Sequence, residues 1–544
     1  MGDPLWKIDA TLKAKAFKLL RPPSTYRGSI FVHGNEATVD ITIPDLTFAK
    51  MPEVRLIDDA HLPIKAVAHL NPDGTICYFG GAGLPLDLYN PGGSVLRVLR
   101  EAEIALERSF GRGATIEIET ELASYWRGDN VYVALPPNET NSIYRADVLN
   151  IGTAESARHV IVPTGHWKHI AALSRHSITI LSFAAGLRYG PAFKSENLAG
   201  IIDWLELQRG AHGCIRESIV SSAAASELIF LVSPNSLLGW QPVFPANLKM
   251  LQKAGGARRE FFVKQVAKSL GDIGLDRMTG SRIDLHSVIE RNLLGKPSLI
   301  GKKIALVGAG TIGGNLARLL VQSGSGCEEH LTIYDPDLFR QGNLGRHVLG
   351  FADLNRPKAA AMADFLRSFH PDVQIKSFQR DALHDWDALE RADLIIDATG
   401  DYNVATALNH RRMMSSKDGN ELAILHAWVF GNGVAAQTFL NLKDGSACYR
   451  CLKPTFGEPW RHPPVKDVTR FAELAPALCG EAGYVPFAAD APVIAAGLAL
   501  RATLDWAAGQ PGPRLRTITL NHNDGKDVKW LSPSRSKSCP ACGS

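Results

Sequence analysis

The 544-residue chain contains no apolar run approaching the roughly 18 to 20 residues a membrane-crossing helix needs. No transmembrane helix is therefore expected. The start, Met1-Gly2-Asp3-Pro4-Leu5-Trp6, lacks the basic patch and apolar core of a secretory leader. Trp6 stands where a myristoylation signal wants Ser or Thr, so Gly2 is not read as a lipid acceptor. Strong charge of one sign is also missing. A net charge of +4 is too small for a nucleic-acid footprint, so no nucleic-acid partner is expected. Cysteine is sparse, with eight residues. Without an export signal the location expected is cytoplasmic and the thiols stay reduced. They then read as ligands, nucleophiles or core residues rather than disulfides. Between Gly128 and Arg277 repeats and low-complexity tracts are absent too.

What is present divides into three regions. Residues 1–127 read as α+β. An amphipathic helix over Leu5 to Leu20 stops at Pro22-Pro23. Alternating strands follow over Gly28 to Val32 and Ala37 to Ile43, with a turn at Gly34-Asn35. Short strands are expected at Val54 to Ile57, Ile64 to Ala68 and Thr115 to Ile118, and a helix over Ser94 to Phe110. Residues 128–280 give mixed signals. Strands at Val160 to Val162, Ile178 to Phe183 and Leu228 to Val232 and helices at Asp203 to Leu207 and Glu260 to Leu270 suggest a linking or docking domain. His166, His169, His212 and Cys214 are scattered there and form no metal-ligand spacing.

In residues 281–544 strands alternate with helices. The strands expected are Lys303 to Val307, His330 to Tyr334 and Leu394 to Asp397; the helices are Asn315 to Gln322, Pro357 to Phe369 and Ala491 to Trp506. That order predicts an α/β, doubly wound, mostly parallel sheet. The first strand runs into Gly308-Ala309-Gly310-Thr311-Ile312-Gly313. Glycine lets such a loop turn tightly and approach a phosphate, and the following helix offers free N–H groups to the anion. Asp335, closing the next strand, is placed for a ribose.

The loop alone fits NAD as well as ATP. Further charges favour ATP: Asp337, Asn343, Arg346, Lys358 and Asp401 follow in order. Hydride transfer needs no such set. Adenylation does, because cations neutralise a triphosphate and its pyrophosphate leaving group while a carboxylate holds Mg²⁺. Cys448-Tyr449-Arg450-Cys451 and Cys539-Pro540-Ala541-Cys542 make two matched C-x-x-C pairs, a tetrathiolate set suited to structural Zn²⁺.

From about Ser281 onward this motif set resembles the ubiquitin-activating superfamily, including the ThiF and MoeB adenylyltransferases. The resemblance implies that Gly308, Gly310 and Gly313 line the ATP phosphates and that Asp335 holds the ribose. It implies phosphate contacts from Asn343 and Arg346, charge stabilisation by Lys358 and Mg²⁺ on Asp401. His347 stands where members often carry Gln, and Arg282 and Arg291 are both candidates for an additional upstream arginine. Cys479, before Gly480-Glu481-Ala482-Gly483, resembles the family's crossover-loop cysteine, a thiol that captures the acyl group from the adenylate.

The run His69-Leu70-Asn71-Pro72-Asp73-Gly74-Thr75-Ile76-Cys77 resembles the ubiquitin-conjugating fold, in which His-Pro-Asn precedes a Gly-x-Ile-Cys. Leu70 replaces the proline. The resemblance implies that Cys77 is a second acyl acceptor and that Asn71 supplies an amide N–H to the oxyanion. His69 braces the turn. The layout resembles fused activating and conjugating enzymes of bacterial anti-phage CBASS operons, or of bacterial ubiquitin-like operons. It implies a protein donor with an exposed C-terminus, either a ubiquitin-like protein or a cGAS-like nucleotidyltransferase. It also implies a lysine-bearing target and a homodimer. The alternative is a sulfur-carrier adenylyltransferase whose N-terminal domain is not catalytic.

Overall fold

A computed structural model describes residues 3–543 except 23, 59–67, 72, 79–82, 111–113, 138–139, 154, 254–258, 418–420 and 470–484. The chain forms two compact units, Met1–Arg282 and Ile283–Ser544.

The first unit opens with the helix Pro4–Ala14, capped by the Asp3 carboxylate on the Leu5 N–H. The helix is shorter than the sequence periodicity predicts. Ala16 takes φ +64° and the Phe17 N–H closes back on the Leu12 carbonyl, so the chain reverses and buries Phe17. Lys18–Arg21 is then a strand, not the last turn of a helix. It begins an antiparallel four-stranded sheet with Thr25–Val32, Asn35–Thr42 and Glu53–Asp58 in sequential order. Val32 pairs with Asn35, which leaves His33 and Gly34 as a two-residue turn, both at positive φ. Tyr26, Ile30 and Val32 alternate inward, as do Ala37, Val39 and Ile41. The helix Pro91–Phe110 covers that face with Val95, Val98, Ala102 and Leu106. The strand expected at Ile64 to Ala68 falls mostly outside the described residues.

Ala114–Thr120 is a helix where alternating Ile and Glu had suggested a strand. The spacing that wins is the helical one: Ile118, Leu122 and Trp126 are all buried at intervals of four residues. A closed seven-stranded barrel follows. In order around the barrel its strands are Leu237–Val243, Gly274–Arg282, Asp129–Val133, Arg158–Pro163, Ser142–Ile151, Ser174–Ser182 and Ile229–Val232. Helices Leu198–Glu206, Ile215–Ala224 and Arg259–Lys268 bury Trp204, Ile219 and Phe262 in one cluster with Trp126 and Trp240.

The second unit is a seven-stranded sheet in the order Ile375–Phe378, Leu331–Tyr334, Ile304–Val307, Leu394–Asp397, Ala423–Phe430, Ala435–Asn441 and Leu515–Thr519. The first five strands are parallel, and Ala435–Asn441 pairs antiparallel both with Ala423–Phe430 and with Leu515–Thr519. The central strands Ile304–Val307 and Leu394–Asp397 are buried on both faces, hence their continuous apolar runs Ile304-Ala305-Leu306-Val307 and Leu394-Ile395-Ile396. Helices Thr311–Gln322, Lys358–Arg367, Tyr402–Met414 and Asp490–Ala507 complete the doubly wound α/β layers. Ile304–Val307 lies between the strands that follow it on either side. The chain therefore reverses its winding there, which opens a crevice beyond the strand ends.

Candidate active site

The crevice is a cavity of about 580 Å³, within the range that encloses a small-molecule ligand. Its floor is the glycine loop. Gly308 has φ +90° and its carbonyl lies 1.8 Å from where a Cβ on Gly313 would sit, so neither position tolerates a side chain. A Cβ on Gly310 would meet nothing within 4 Å, so that side of the glycine is open space. Gly310 also starts the helix Thr311–Gln322, whose positive end faces the cavity.

Strand ends bring the charged groups in. Asp335 follows Leu331–Tyr334 and is 5% exposed. One of its oxygens accepts the Ala309 N–H at 2.7 Å and the other the Asp337 N–H at 2.8 Å. Asp335 thus fixes the shape of the loop as well as facing the cavity. Burial pushes its carboxyl up, and the nearby Lys358 ammonium opposes that shift. Lys358 opens the helix Lys358–Arg367 and is itself buried, with Nζ 2.8 Å from Asp337 Oδ2. Asp337 is exposed at its carboxylate, so the pair has one dry and one wet partner. Asp401 caps the helix Tyr402–Met414: Oδ1 accepts the N–H groups of Asn403 at 2.7 Å and Val404 at 3.1 Å. Arg346 lines the cavity with its guanidinium 5.1 Å over the Phe487 ring.

Of the residues singled out in the sequence, the cavity gathers Gly308, Gly310, Asp335, Asp337, Arg346, Lys358 and Asp401. Gly313 and Asn343 are not among its lining residues. Gly313 serves the loop's own packing. Asn343 closes a short turn, its Oδ1 accepting the Arg340 N–H at 2.9 Å. Arg291 sits in the last turn of the helix Leu285–Leu293 and does not line the cavity. Arg282 belongs to the first unit and donates to the Leu135 carbonyl at 3.2 Å. Cys479 lies outside the described residues.

The polar residues Arg380, Asp381 and Thr399, given no role from the sequence, also line the cavity. Arg380 and Asp381 reach the cavity from the end of Ile375–Phe378, where the strand-end rule would have placed them. Thr399 donates to Asp397 through both N–H and Oγ1, at 3.1 and 2.7 Å. Asp397 in turn is 2.9 Å from His426 Nδ1, a pair buried under the cavity wall. Nothing local in the sequence marks that pair, because the two residues meet only across adjacent strands.

The first unit presents Cys77 at its surface. Its N–H donates to the His69 carbonyl at 2.7 Å and the Asn71 N–H to the Thr75 carbonyl at 2.8 Å, so the motif folds back on itself. Gly74 takes φ +85° at the bend. His69 has φ +61°, and its ring is gripped from both sides: Nε2 lies 3.2 Å from Glu117 and Nδ1 3.3 Å from Glu121. Glu117 comes from the stretch read in the sequence as strand, and Glu121 follows four residues later, just past the end of Ala114–Thr120.

The four cysteines of the paired C-x-x-C motifs are buried, unbonded and within 4.8 Å of one another at sulfur. Sulfur separations are 3.9 Å for Cys448–Cys451, 3.7 Å for Cys448–Cys539 and 3.3 Å for Cys451–Cys542. Four thiolates at a Zn–S distance of about 2.3 Å stand about 3.8 Å apart in a tetrahedron, so the cluster fits Zn²⁺. The Ser536 N–H donates to Cys451 Sγ at 3.4 Å, which favours a thiolate there. Such a site would tie the C-terminal segment to the face carrying Trp428 and Tyr449. Stripping the metal with a chelator should lower the thermal midpoint of this unit on the order of 10 °C, while elemental analysis shows about one zinc lost per chain. A protein that carries no zinc and is indifferent to Cys448→Ser would make these plain core thiols.

Among the described residues no helix is long and apolar enough to cross a membrane.

Residues 292–541 match the ThiF family and residues 5–133 the prokaryotic E2 family B. The chain is 29% identical over 523 residues to an ATP-dependent ubiquitin transferase-like protein Cap2 of Pseudomonas aeruginosa, covering 92% of this chain and 91% of that protein. Its Escherichia coli namesake is 27% identical over 535 residues, covering 88% and 86%. The sulfur carrier protein ThiS adenylyltransferase of Bacillus subtilis is 26% identical over 274 residues, covering 49% of this chain and 72% of that protein. The chain therefore joins a prokaryotic E2 family B domain to a ThiF-family domain and is an activating- and conjugating-like transferase.

Proposed function

We propose that the chain adenylates the C-terminal carboxylate of a protein and passes the acyl group through two thioesters to a lysine. A carboxylate oxygen of the donor attacks the α-phosphorus of ATP, and pyrophosphate leaves. The Cys479 thiolate attacks the acyl carbon of the mixed anhydride, and AMP leaves. The Cys77 thiolate then displaces Cys479, and a lysine amine displaces Cys77 to form an isopeptide. The observation that carries this reading is the convergence of Lys358, Arg346, Asp337 and Asp401 on the cavity floored by the glycine loop.

In this reading Lys358 and Arg346 face the charge that develops on the phosphates, in a partly dry site where such contacts are strong. Asp335 and the glycine loop position ribose and phosphates. Bound Mg²⁺, held through Asp401, would neutralise triphosphate charge. Val485 lines the cavity, and Cys479 precedes it by six residues, a span of at most about 20 Å of extended chain. Asn71 is assigned to the oxyanion at Cys77, and the barrel of residues 129–282 to docking of donor or target. The relatives' name supports ubiquitin-like conjugation, and the resemblance in layout supports a role in anti-phage defence and a homodimeric assembly.

The test is donor-dependent ATP–pyrophosphate exchange, with a ubiquitin-like protein and a cGAS-like nucleotidyltransferase each tried as the donor. Exchange should require the donor's free C-terminal carboxylate and vanish when that terminus is amidated. Exchange indifferent to the terminus would remove the proposed acyl donor.

A further inference from the structure

One contact beneath the cavity has no role in the chemistry described so far. His347 lies between Phe339, at 5.2 Å ring to ring, and the helix Thr311–Gln322, where a Cβ on Gly314 would come within 2.9 Å of the imidazole. Its Nε2 is 2.8 Å from the Ala309 carbonyl oxygen, and the Leu349 N–H is 3.0 Å from its Nδ1. These two contacts fix the tautomer. A carbonyl only accepts, so Nε2 carries the hydrogen. A backbone N–H only donates, so Nδ1 is bare.

The Ala309 residue is therefore held from both sides: its N–H by Asp335 and its C=O by His347. The Ala309–Gly310 peptide is trans and planar, so its C=O and N–H point in opposite directions. Pulling the carbonyl toward His347 turns the Gly310 N–H the other way. Gly310 lines the cavity and has open space on its Cβ side.

We infer that His347 is a positioning residue: as the neutral imidazole it clamps the Ala309 carbonyl and so aims the Gly310 N–H at the nucleotide's phosphates. The inference rests on the reading of this cavity as the ATP site. The residue acts through the loop and touches no reacting atom. It also makes the clamp sensitive to acid. A proton added at Nδ1 would face the Leu349 N–H, donor against donor, and that bond would be lost. The charged groups around the ring are Lys358, which disfavours the proton, and Asp353, which favours it; Asp335 lies behind Ala309. Burial is the dominant influence and pushes the imidazole below its usual range, although the Ala309 and Gly310 carbonyls oppose it. The neutral clamp thus persists through ordinary histidine titration and is lost only as the pH falls through the depressed folded-state value.

The experiment measures binding of ATP and of adenosine to the full chain, in the wild type, His347→Ala and His347→Gln, between about pH 5 and pH 8. A backbone donor to a charged phosphate is worth about a ten- to hundredfold in affinity, so His347→Ala should weaken ATP by that factor and leave adenosine unchanged. The Gln variant keeps an N–H for the Ala309 carbonyl but cannot titrate. It should bind ATP within about threefold of the wild type at neutral pH and lose the wild type's fall at acid pH. Equal losses for ATP and adenosine, an unchanged His347→Ala, or an acid limb retained in His347→Gln would each overturn the inference. If His347→Ala does not fold, the Gln variant's acid limb decides alone. A wild type that binds no ATP at any pH overturns the cavity reading and this inference together, whereas a wild type that binds ATP beside an indifferent His347→Ala leaves the cavity reading standing.

Discussion

The Lys358→Ala protein should lose donor-dependent ATP–pyrophosphate exchange by about two to three orders of magnitude while remaining folded. The size of the effect follows from burial. Lys358 is 10% exposed at its side chain, so its charge acts through protein rather than water. Removing it takes away a preorganised cation where negative charge builds on the phosphates. The fold should survive because the partner Asp337 has a side chain 67% exposed and water can solvate it alone. The loss should fall mainly on turnover and less on ATP KM, since Arg346 and the glycine loop still hold the ground state. Exchange measured at saturating ATP separates the two. A variant that exchanges within about threefold of the wild type would remove Lys358 from the chemistry.

The second large effect concerns the thiols. Cys77→Ala should form one reductant-sensitive conjugate with the donor and stop there. Cys479→Ala should form none, though it should still release pyrophosphate. Isopeptide product should vanish in both. The asymmetry follows from order: the adenylate is the only species energetic enough to load the first sulfur, and the second receives its acyl group by an exchange between bonds of similar energy. Non-reducing gels of the two variants, beside the wild type, check it. A Cys77→Ala protein whose activity is fully that of the wild type would favour the sulfur-carrier alternative, in which the N-terminal domain is not catalytic. The exposure of Cys77 and the turn that brackets it with Asn71 are compatible with the acceptor role.

Much of this arrangement is legible in the sequence, and the parts that are not share a cause. The doubly wound sheet announces itself because three of its parallel strands are short, mostly apolar runs that lead into a distinctive segment: Val307 before the glycine loop, Tyr334 before Asp335, Asp397 before Thr399. Site residues sit just past those ends, so motif order carried most of the cavity. The barrel was harder. Its strand Gly274–Arg282 is rich in Asp, Arg and Gly, and it is a strand because Asp129–Val133 and Leu237–Val243 pair with it from either side. Contacts between residues so distant in sequence leave no local signature. Ala114–Thr120 misled for the opposite reason: Ile and Glu alternate over a few residues as in a strand, and only the burial of Ile118 with Leu122 settles the period. His347 was noticed only as a departure from the family's Gln. Its grip on Ala309 needed coordinates, because the two residues are 38 positions apart.

The account depends on ATP being spent to energise a polypeptide's terminal carboxylate. Mass spectrometry of the full chain incubated with ATP and a donor of each class, a ubiquitin-like protein or a cGAS-like nucleotidyltransferase, tests this most directly. The predicted result is AMP release together with a donor-plus-enzyme species, lighter than the sum of its parts by one water and split by a thiol reductant. No AMP and no reductant-sensitive species from either donor class would contradict it.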